Sequence, residues 1–87
     1  SGPNGQNLGS AAPGEDAFAC GPGANASGVR ATAIGRNSVA SDEEATAVGD
    51  NAASTGFHSS AFGADSVASG RGATALGWDA RATGALS

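Results

Sequence analysis

The sequence predicts an all-β fold, a parallel β-roll built from coils of 14 residues. Three observations support this prediction. The chain repeats every 14 residues from Ala17 to Ser87 without a gap. Each repeat holds two short stretches in which side chains alternate with a period of two, as strands do. Each stretch ends at glycine or an equivalent turn residue. Two strands and two turns per repeat make one coil, so equivalent strands of successive coils should stack in parallel, ~4.8 Å apart.

The two strands occupy fixed positions in the repeats, which begin at residues 17, 31, 45, 59 and 73. Positions 1–5 read AFACG, ATAIG, ATAVG, SSAFG and ATALG. Positions 8–12 read ANASG, SVASD, AASTG, SVASG and ARATG. Glycine is constant at position 5, which predicts a positive φ angle or a close backbone approach. We expect a positive φ at position 12 as well, because Asp42, which replaces glycine there, tolerates that conformation.

The domain organisation follows from where the repeat begins. Residues 1–16 are predicted to be an irregular N-terminal segment with a partial coil, and residues 17–87 the β-roll of five repeats. The chain begins without Met and ends inside the pattern, so we expect a piece of a longer protein. Only 11 residues are Leu, Ile, Val or Phe, against 21 Ala and 15 Gly. A single copy would be marginally stable, and its core needs help from association.

The alternation separates small from large side chains. Positions 1, 3, 8 and 10 are Ala or Ser throughout, which predicts a thin, close-packed interior without a substrate cavity. Positions 2 and 4 point out of the first sheet and form a continuous apolar stripe, which marks an interface between chains. The predicted interface residues are Phe18, Cys20, Thr32, Ile34, Thr46, Val48, Ser60, Phe62, Thr74 and Leu76. Position 9 of the second strand gives a candidate ligand-facing outer surface of Asn25, Val39, Ala53, Val67 and Arg81.

Charge and composition exclude several classes of partner. The net charge of −4 argues against nucleic acid and against an anionic membrane surface. No apolar run approaches the length of a membrane-spanning helix, so we expect no direct membrane contact. The single cysteine, Cys20, cannot form an intrachain disulfide. We expect no catalytic site, no cofactor and no metal.

The repeats resemble the YadA-like heads of trimeric autotransporter adhesins over residues 17–87. ATAIG (31–35), ATAVG (45–49) and ATALG (73–77) are similar to the inner-strand motif of that family. The resemblance implies a left-handed roll, three chains packed around a three-fold axis, and binding to host extracellular matrix or cell-surface receptors. It also implies display on the bacterial surface, after export across the outer membrane, through a C-terminal anchor absent from this chain. AFACG (17–21) departs most from the motif, so we expect an irregular first coil.

A few single residues admit a functional and a structural interpretation. His58 is the only histidine, and metal binding there would need ligands from three chains. The acidic run Asp42–Glu44 is either a calcium or receptor patch or a solvated turn. Cys20 either cross-links chains or packs as a small apolar side chain. Phe57 and Trp78 fall in turns. Each is either an exposed residue that contacts a binding partner or one that packs over a neighbouring coil or chain.

Other functions fit the sequence less well than adhesion does. Left-handed β-helix acyltransferases repeat every six residues, and no Ser-His-Asp or Cys-His arrangement recurs here. The Gly-rich calcium-binding repeat is absent. Thr32, Thr46 and Thr74 form a partial ladder of the kind found on ice-binding surfaces, but they share a face with large apolar residues. A structural spacer or self-association segment of the same adhesin, with ligand binding elsewhere, remains the main alternative.

Overall fold

The computed structural model describes residues 10–87, which form a β-solenoid of about five turns. No helix forms within that range, and therefore none there is long or apolar enough to cross a membrane. The strands are β1 (Phe18–Cys20), β2 (Asn25–Ala26), β3 (Thr32–Ile34), β4 (Val39–Ala40), β5 (Thr46–Val48), β6 (Ala53–Ser54), β7 (Ser60–Phe62), β8 (Val67–Ala68), β9 (Thr74–Leu76) and β10 (Arg81–Ala82).

The strands form two five-stranded sheets in which every pairing is parallel. The first sheet has the order β1-β3-β5-β7-β9, and the second has the order β10-β8-β6-β4-β2. The register advances by 14 residues at each step, as in the pairs Ala19–Ala33 and Ala26–Ala40. This confirms the predicted all-β parallel solenoid with 14-residue coils. The strands are shorter than the alternating stretches, and cover positions 2–4 and 9–10.

The interior between the two sheets contains only small side chains. Ala33 and Ala47 of the first sheet and Ala40 and Ala68 of the second are completely buried. The largest fully buried side chains are serines, namely Ser38, Ser54, Ser59 and Ser66. This outcome confirms the prediction that positions 1, 3, 8 and 10 face inward. Because Ala and Ser fill the space, the sheets lie close, and the smallest extent of the molecule is 11 Å.

The four completely buried serines satisfy their hydroxyl groups through the adjacent turns or through one another, whereas the buried hydroxyl of Ser10 has no partner within the described residues. Ser38 and Ser66 each donate a hydrogen bond of 2.8 Å to the carbonyl oxygen of the position-5 glycine in their own coil. Ser59 Oγ donates to the Gly56 carbonyl oxygen at 2.7 Å and lies 2.6 Å from Ser54 Oγ. A buried hydroxyl without such a partner is destabilising, so these bonds allow serine to replace alanine in the core.

Where a further coil follows, the glycines of positions 5 and 12 both lie close to the backbone of that coil, but only those of position 5 have positive φ angles. Gly35 and Gly49 at position 5 have φ angles of 121° and 134°, as predicted. The prediction for position 12 is wrong, because Gly28, Gly70 and Asp42 do not have positive φ angles. A Cβ atom at Gly28 would lie 2.0 Å from the Asp42 carbonyl oxygen of the next coil, so close stacking excludes a side chain there. Left-handed residues occur instead at positions 7 and 14, such as Asn37 and Glu44.

The N-terminal part of the described chain joins the roll. Ala11 forms a parallel bridge with Asn25, and the Arg30 amide donates to the Glu15 carbonyl oxygen at 2.7 Å. Residues 1–9 of the segment predicted to be irregular lie outside the described residues. The expectation of an irregular first coil is wrong, because β1 pairs with β3 in the common register. Backbone hydrogen bonds fix that register whatever outward side chains β1 carries.

Candidate functional site

The side chains predicted to form an interface lie on the outer face of the first sheet. Parallel pairing without a register shift stacks position 4 of each coil on position 4 of the next. Position 2 forms a second column beside it by the same pairing. We call these two columns the apolar stripe; it comprises Phe18, Cys20, Thr32, Ile34, Thr46, Val48, Ser60, Phe62, Thr74 and Leu76.

Neighbouring coils cover the apolar stripe only in part. In the single chain Ile34 and Phe62 are 37% and 38% exposed, whereas Phe18 and Leu76 nearer the ends are 54% and 75% exposed. Full burial of a large apolar side chain contributes ~1.5–3 kcal/mol. Covering what these four residues still expose would therefore contribute about 3–6 kcal/mol per chain. That amount is comparable to the whole stability of a small domain.

The second sheet presents a different outer surface. Asn25 and Arg81 at its two ends are exposed, while Val39, Ala53 and Val67 between them are half-buried. The five residues stack in register as one column, as the repeat predicts. Position 11 adds a row of exposed Ser and Thr hydroxyl groups along the same edge of this sheet: Ser27, Ser41, Thr55, Ser69 and Thr83. This surface is more polar than the apolar stripe and lacks its exposed large apolar side chains.

A cluster of charged and polar side chains lies on the turns that end the first three coils. Arg30, Glu44 and His58 occupy position 14 of three successive coils and stack as one column. Glu44 Oε2 accepts hydrogen bonds from Arg30 Nε at 3.0 Å and from Arg30 Nη2 at 2.6 Å. Glu44 Oε1 lies 3.0 Å from His58 Nε2. Glu43 also approaches Arg30, with 3.4 Å between its Oε2 and Arg30 Nη2. We call Arg30, Glu43, Glu44 and His58 the turn cluster.

Backbone geometry holds the turn cluster in place. Glu44 and His58 have φ angles of 56° and 58°, in the left-handed region. The amide of Glu44 donates to the Val29 carbonyl oxygen at 2.8 Å, and the amide of His58 donates to the Glu43 carbonyl oxygen at 3.0 Å. The turns therefore form a hydrogen-bonded ladder of their own, which continues the ladders of the sheets. Side chains 14 residues apart in these turns consequently meet.

Electrostatics in the turn cluster follow from the arginine–glutamate contact. The hydrogen bonds from Arg30 favour the charged carboxylate and lower the pKa of Glu44, and the nearby His58 lowers it further. The same contact raises the pKa of Arg30, with a smaller contribution from Glu43. All these groups are exposed to solvent, which screens such pairs, so the cluster is weak as a source of stability.

An aromatic stack adjoins the turn cluster. The rings of Phe57 and His58 lie nearly parallel, with centroids 3.9 Å apart and an interplanar angle of 13°. The guanidinium carbon of Arg71 lies 5.5 Å from the centroid of the Phe57 ring, which is a cation–π contact. Phe57 thus packs against the neighbouring coil, one of the two interpretations left open by the sequence. Trp78 remains largely exposed on its turn, and the Cys20 thiol is free on the apolar stripe.

Sequence analysis missed the turn cluster. We expected that a metal at His58 would need ligands from three chains, and this is wrong. The ligand atoms of Glu43, Glu44 and His58 lie within 4.8 Å of one another in a single chain. The spacing of 14 residues between Arg30, Glu44 and His58 was the available signal. It identifies a column through the turns in the same way as it identifies the columns through the strands.

Comparison with known protein families supports the pattern of the repeats. Residues 12–38, 26–52 and 54–80 match the family model of the YadA head domain repeat (2 copies). The matches begin within the partial coil and end within the fifth repeat, so they cover most of the chain. Comparison with curated proteins gives no significant match.

Proposed function

Since the chain belongs to the YadA head domain repeat family, and is thus a segment of a trimeric autotransporter adhesin head, we propose that it binds host molecules as a homotrimer. The proposed ligands are host extracellular matrix proteins or cell-surface receptors. Proteins with such heads are adhesins and not enzymes, so the function to be explained is binding.

The observation that supports assembly is the apolar stripe. Large apolar side chains point away from a core of Ala and Ser, so the single chain leaves these side chains exposed to water. Three copies packed with their first sheets around an axis would bury the side chains of the apolar stripe. The stripe runs along all five coils, so contact between chains would extend along the whole roll. We propose left-handed winding of the coils on the resemblance to the same family.

The outer face of the second sheet is the proposed ligand-binding surface. If the first sheet lies at the axis, the column from Asn25 to Arg81 faces outward in each chain. A trimer presents this column three times, and many adhesins share one cell surface. Repetition raises avidity without any new contact, so a weak individual site is sufficient.

The proposed location is the bacterial cell surface. Family membership indicates a surface-displayed autotransporter adhesin. We propose that a C-terminal region outside this chain anchors it in the outer membrane after export. In this proposal the head itself projects from the cell surface.

A spacer function is the second candidate, and one observation favours it. The column on the outer face has no common chemistry, because Asn25 and Arg81 flank two valines and an alanine. A repeated recognition feature would show the same residue type in successive coils. In the spacer function these coils extend the head, and ligand binding or self-association resides elsewhere in the adhesin.

A binding assay with matched variants tests the adhesive function. Immobilised matrix proteins and intact host cells are probed with the trimer, with the double variant Val39→Glu/Val67→Glu, and with Arg36→Glu. Both variants make the charge more negative by two per chain, but Arg36 lies on a turn and not on the outer sheet. We expect only the double variant to lose binding while both remain trimeric. Failure of the wild-type trimer to bind any of these surfaces, where the full-length adhesin does bind, would establish the spacer function.

A further inference from the structure

The turn cluster brings together the side chains that a divalent transition metal ion prefers. One imidazole nitrogen and two carboxylates converge, with the ligand atoms of Glu43, Glu44 and His58 within 4.8 Å of one another. We propose that these three residues form a binding site for zinc or a similar borderline divalent ion. All ligands come from one chain, so the inference is independent of trimer assembly and of adhesion.

The separation between two of the ligand atoms fits a tetrahedral metal site. Zinc lies ~2.0–2.2 Å from imidazole nitrogen and carboxylate oxygen, so two such ligands around a tetrahedral ion are about 3.3 Å apart. Glu44 Oε1 and His58 Nε2 are 3.0 Å apart. A small outward movement of either side chain would admit the ion between them, with Glu43 as a third ligand. Three protein ligands leave a fourth position for water.

Arg30 is compatible with this site because it uses the other oxygen of Glu44. Its guanidinium group bonds to Oε2, whereas Oε1 faces His58. Carboxylates that bind metals are commonly held by an outer hydrogen-bond partner, which fixes their orientation. The acidic run also contributes two further carboxylates besides Glu44, so the local charge remains negative despite Arg30.

The supporting structure around the site is built from two adjacent turns. Glu43 and Glu44 end the second coil, and His58 ends the third. Their backbones are tied by the bond from the His58 amide to the Glu43 carbonyl oxygen, and the His58 ring is held against Phe57. A bound ion would therefore connect neighbouring coils. Because it binds the folded chain and not the unfolded one, it should raise the unfolding temperature.

The test uses the single histidine as a reporter. The whole chain is stripped of metal and carries Cys20→Ser, because a free thiol is itself a good zinc ligand. Zinc is then titrated while the imidazole resonances are followed by NMR and the affinity is measured by calorimetry. Only His58 contributes imidazole signals. We expect these signals to move on addition of zinc, with one ion bound per chain, and to remain unchanged with magnesium.

Three variants distinguish a built site from general attraction of cations to acidic residues. His58→Asn and Glu44→Gln should each weaken zinc binding by at least ~10-fold, because changes at metal sites typically cost that much even outside the ligands. Glu15→Gln removes the same charge as Glu44→Gln from an earlier turn, and should bind zinc as the parent does. The proposal is overturned if zinc leaves the His58 resonances unmoved, or if Glu15→Gln weakens binding as much as Glu44→Gln.

Discussion

A single charge placed on the apolar stripe should prevent assembly of the chain. Val48 lies in β5, the central strand of the first sheet, between Ile34 and Phe62 of the adjoining coils. In the proposed trimer Val48→Asp would bring three carboxylates to one level near the axis. The effective cost of burying an ion is several kcal/mol. The exposed part of the stripe contributes about 3–6 kcal/mol per chain when covered, so the charge would cancel most of that gain.

Val39→Asp provides the matched control. Val39 is also half-buried in a strand, but it lies on the outer face of the second sheet. A carboxylate there remains solvated in the proposed trimer, and the change should cost no more than the ~1 kcal/mol range of strand preferences. The two variants carry the same substitution and the same net charge. Any difference in assembly therefore reports which sheet forms the interface.

The assay is light scattering with a circular dichroism spectrum on the same sample. We expect the wild type and Val39→Asp to show a mass near three times 8.1 kDa and a β spectrum. Val48→Asp should show a smaller mass and a weakened β spectrum at the same concentration. If Val48→Asp keeps the trimer, or Val39→Asp loses it equally, the assignment of the apolar stripe to the axis is wrong.

Three further predictions concern the turns and the core, each measured by reversible unfolding of the whole chain. Gly70→Ala should destabilise by roughly 1–3 kcal/mol or more, because its Cβ would lie 2.2 Å from the Gly84 carbonyl oxygen. Gly84→Ala should be nearly neutral, since the nearest atom to its Cβ is 3.9 Å away, and equal effects would contradict this explanation. Ser59→Ala should cost about 1–3 kcal/mol, because Ser54 Oγ loses its buried partner at 2.6 Å; an unchanged denaturation midpoint would exclude that role. In metal-free buffer, the lowered pKa of Glu44 stabilises the fold at pH values above its ordinary pKa of 4.5. This stabilisation is lost as the pH falls below that value. Glu44→Gln should therefore show a smaller drop in unfolding temperature over that acidic range, and an identical drop would refute the contribution.

The sheets could be predicted from the sequence because two independent patterns agree. The period of 14 fixes which residues stack, and the alternation within each strand fixes which side chains share a face. Side-chain volume then distinguishes the faces, since Ala33 and Ala47 fit a narrow interior where Ile34 and Val48 do not. Each of these inferences depends on the backbone repeat, which the hydrogen-bonded ladders enforce in every coil.

The details of the turns could not be predicted with the same rules. The recurrence of glycine at position 12 predicts a positive φ angle, but the cause is close contact between coils. Such contact is a property of the stacked assembly, and one coil in isolation does not contain it. The left-handed conformation occurs instead at position 7, where every residue is Gly, Asn or Asp and favours it, and at position 14, where residues such as Arg30 and Glu44 do not. Backbone bonds between successive turns stabilise that conformation there.

The same stacking explains why a site of polar side chains can form at the turns and not in the core. Inside the roll the sheets are too close for any side chain larger than serine, so a polar site cannot be built between them. At the turns side chains point into solvent, and every position recurs one coil later. Residues that are 14 apart in sequence, such as Glu44 and His58, therefore become neighbours on a rigid ladder. A repeat that tolerates substitution at its turns can thus acquire a site from two or three residues while the fold remains unchanged.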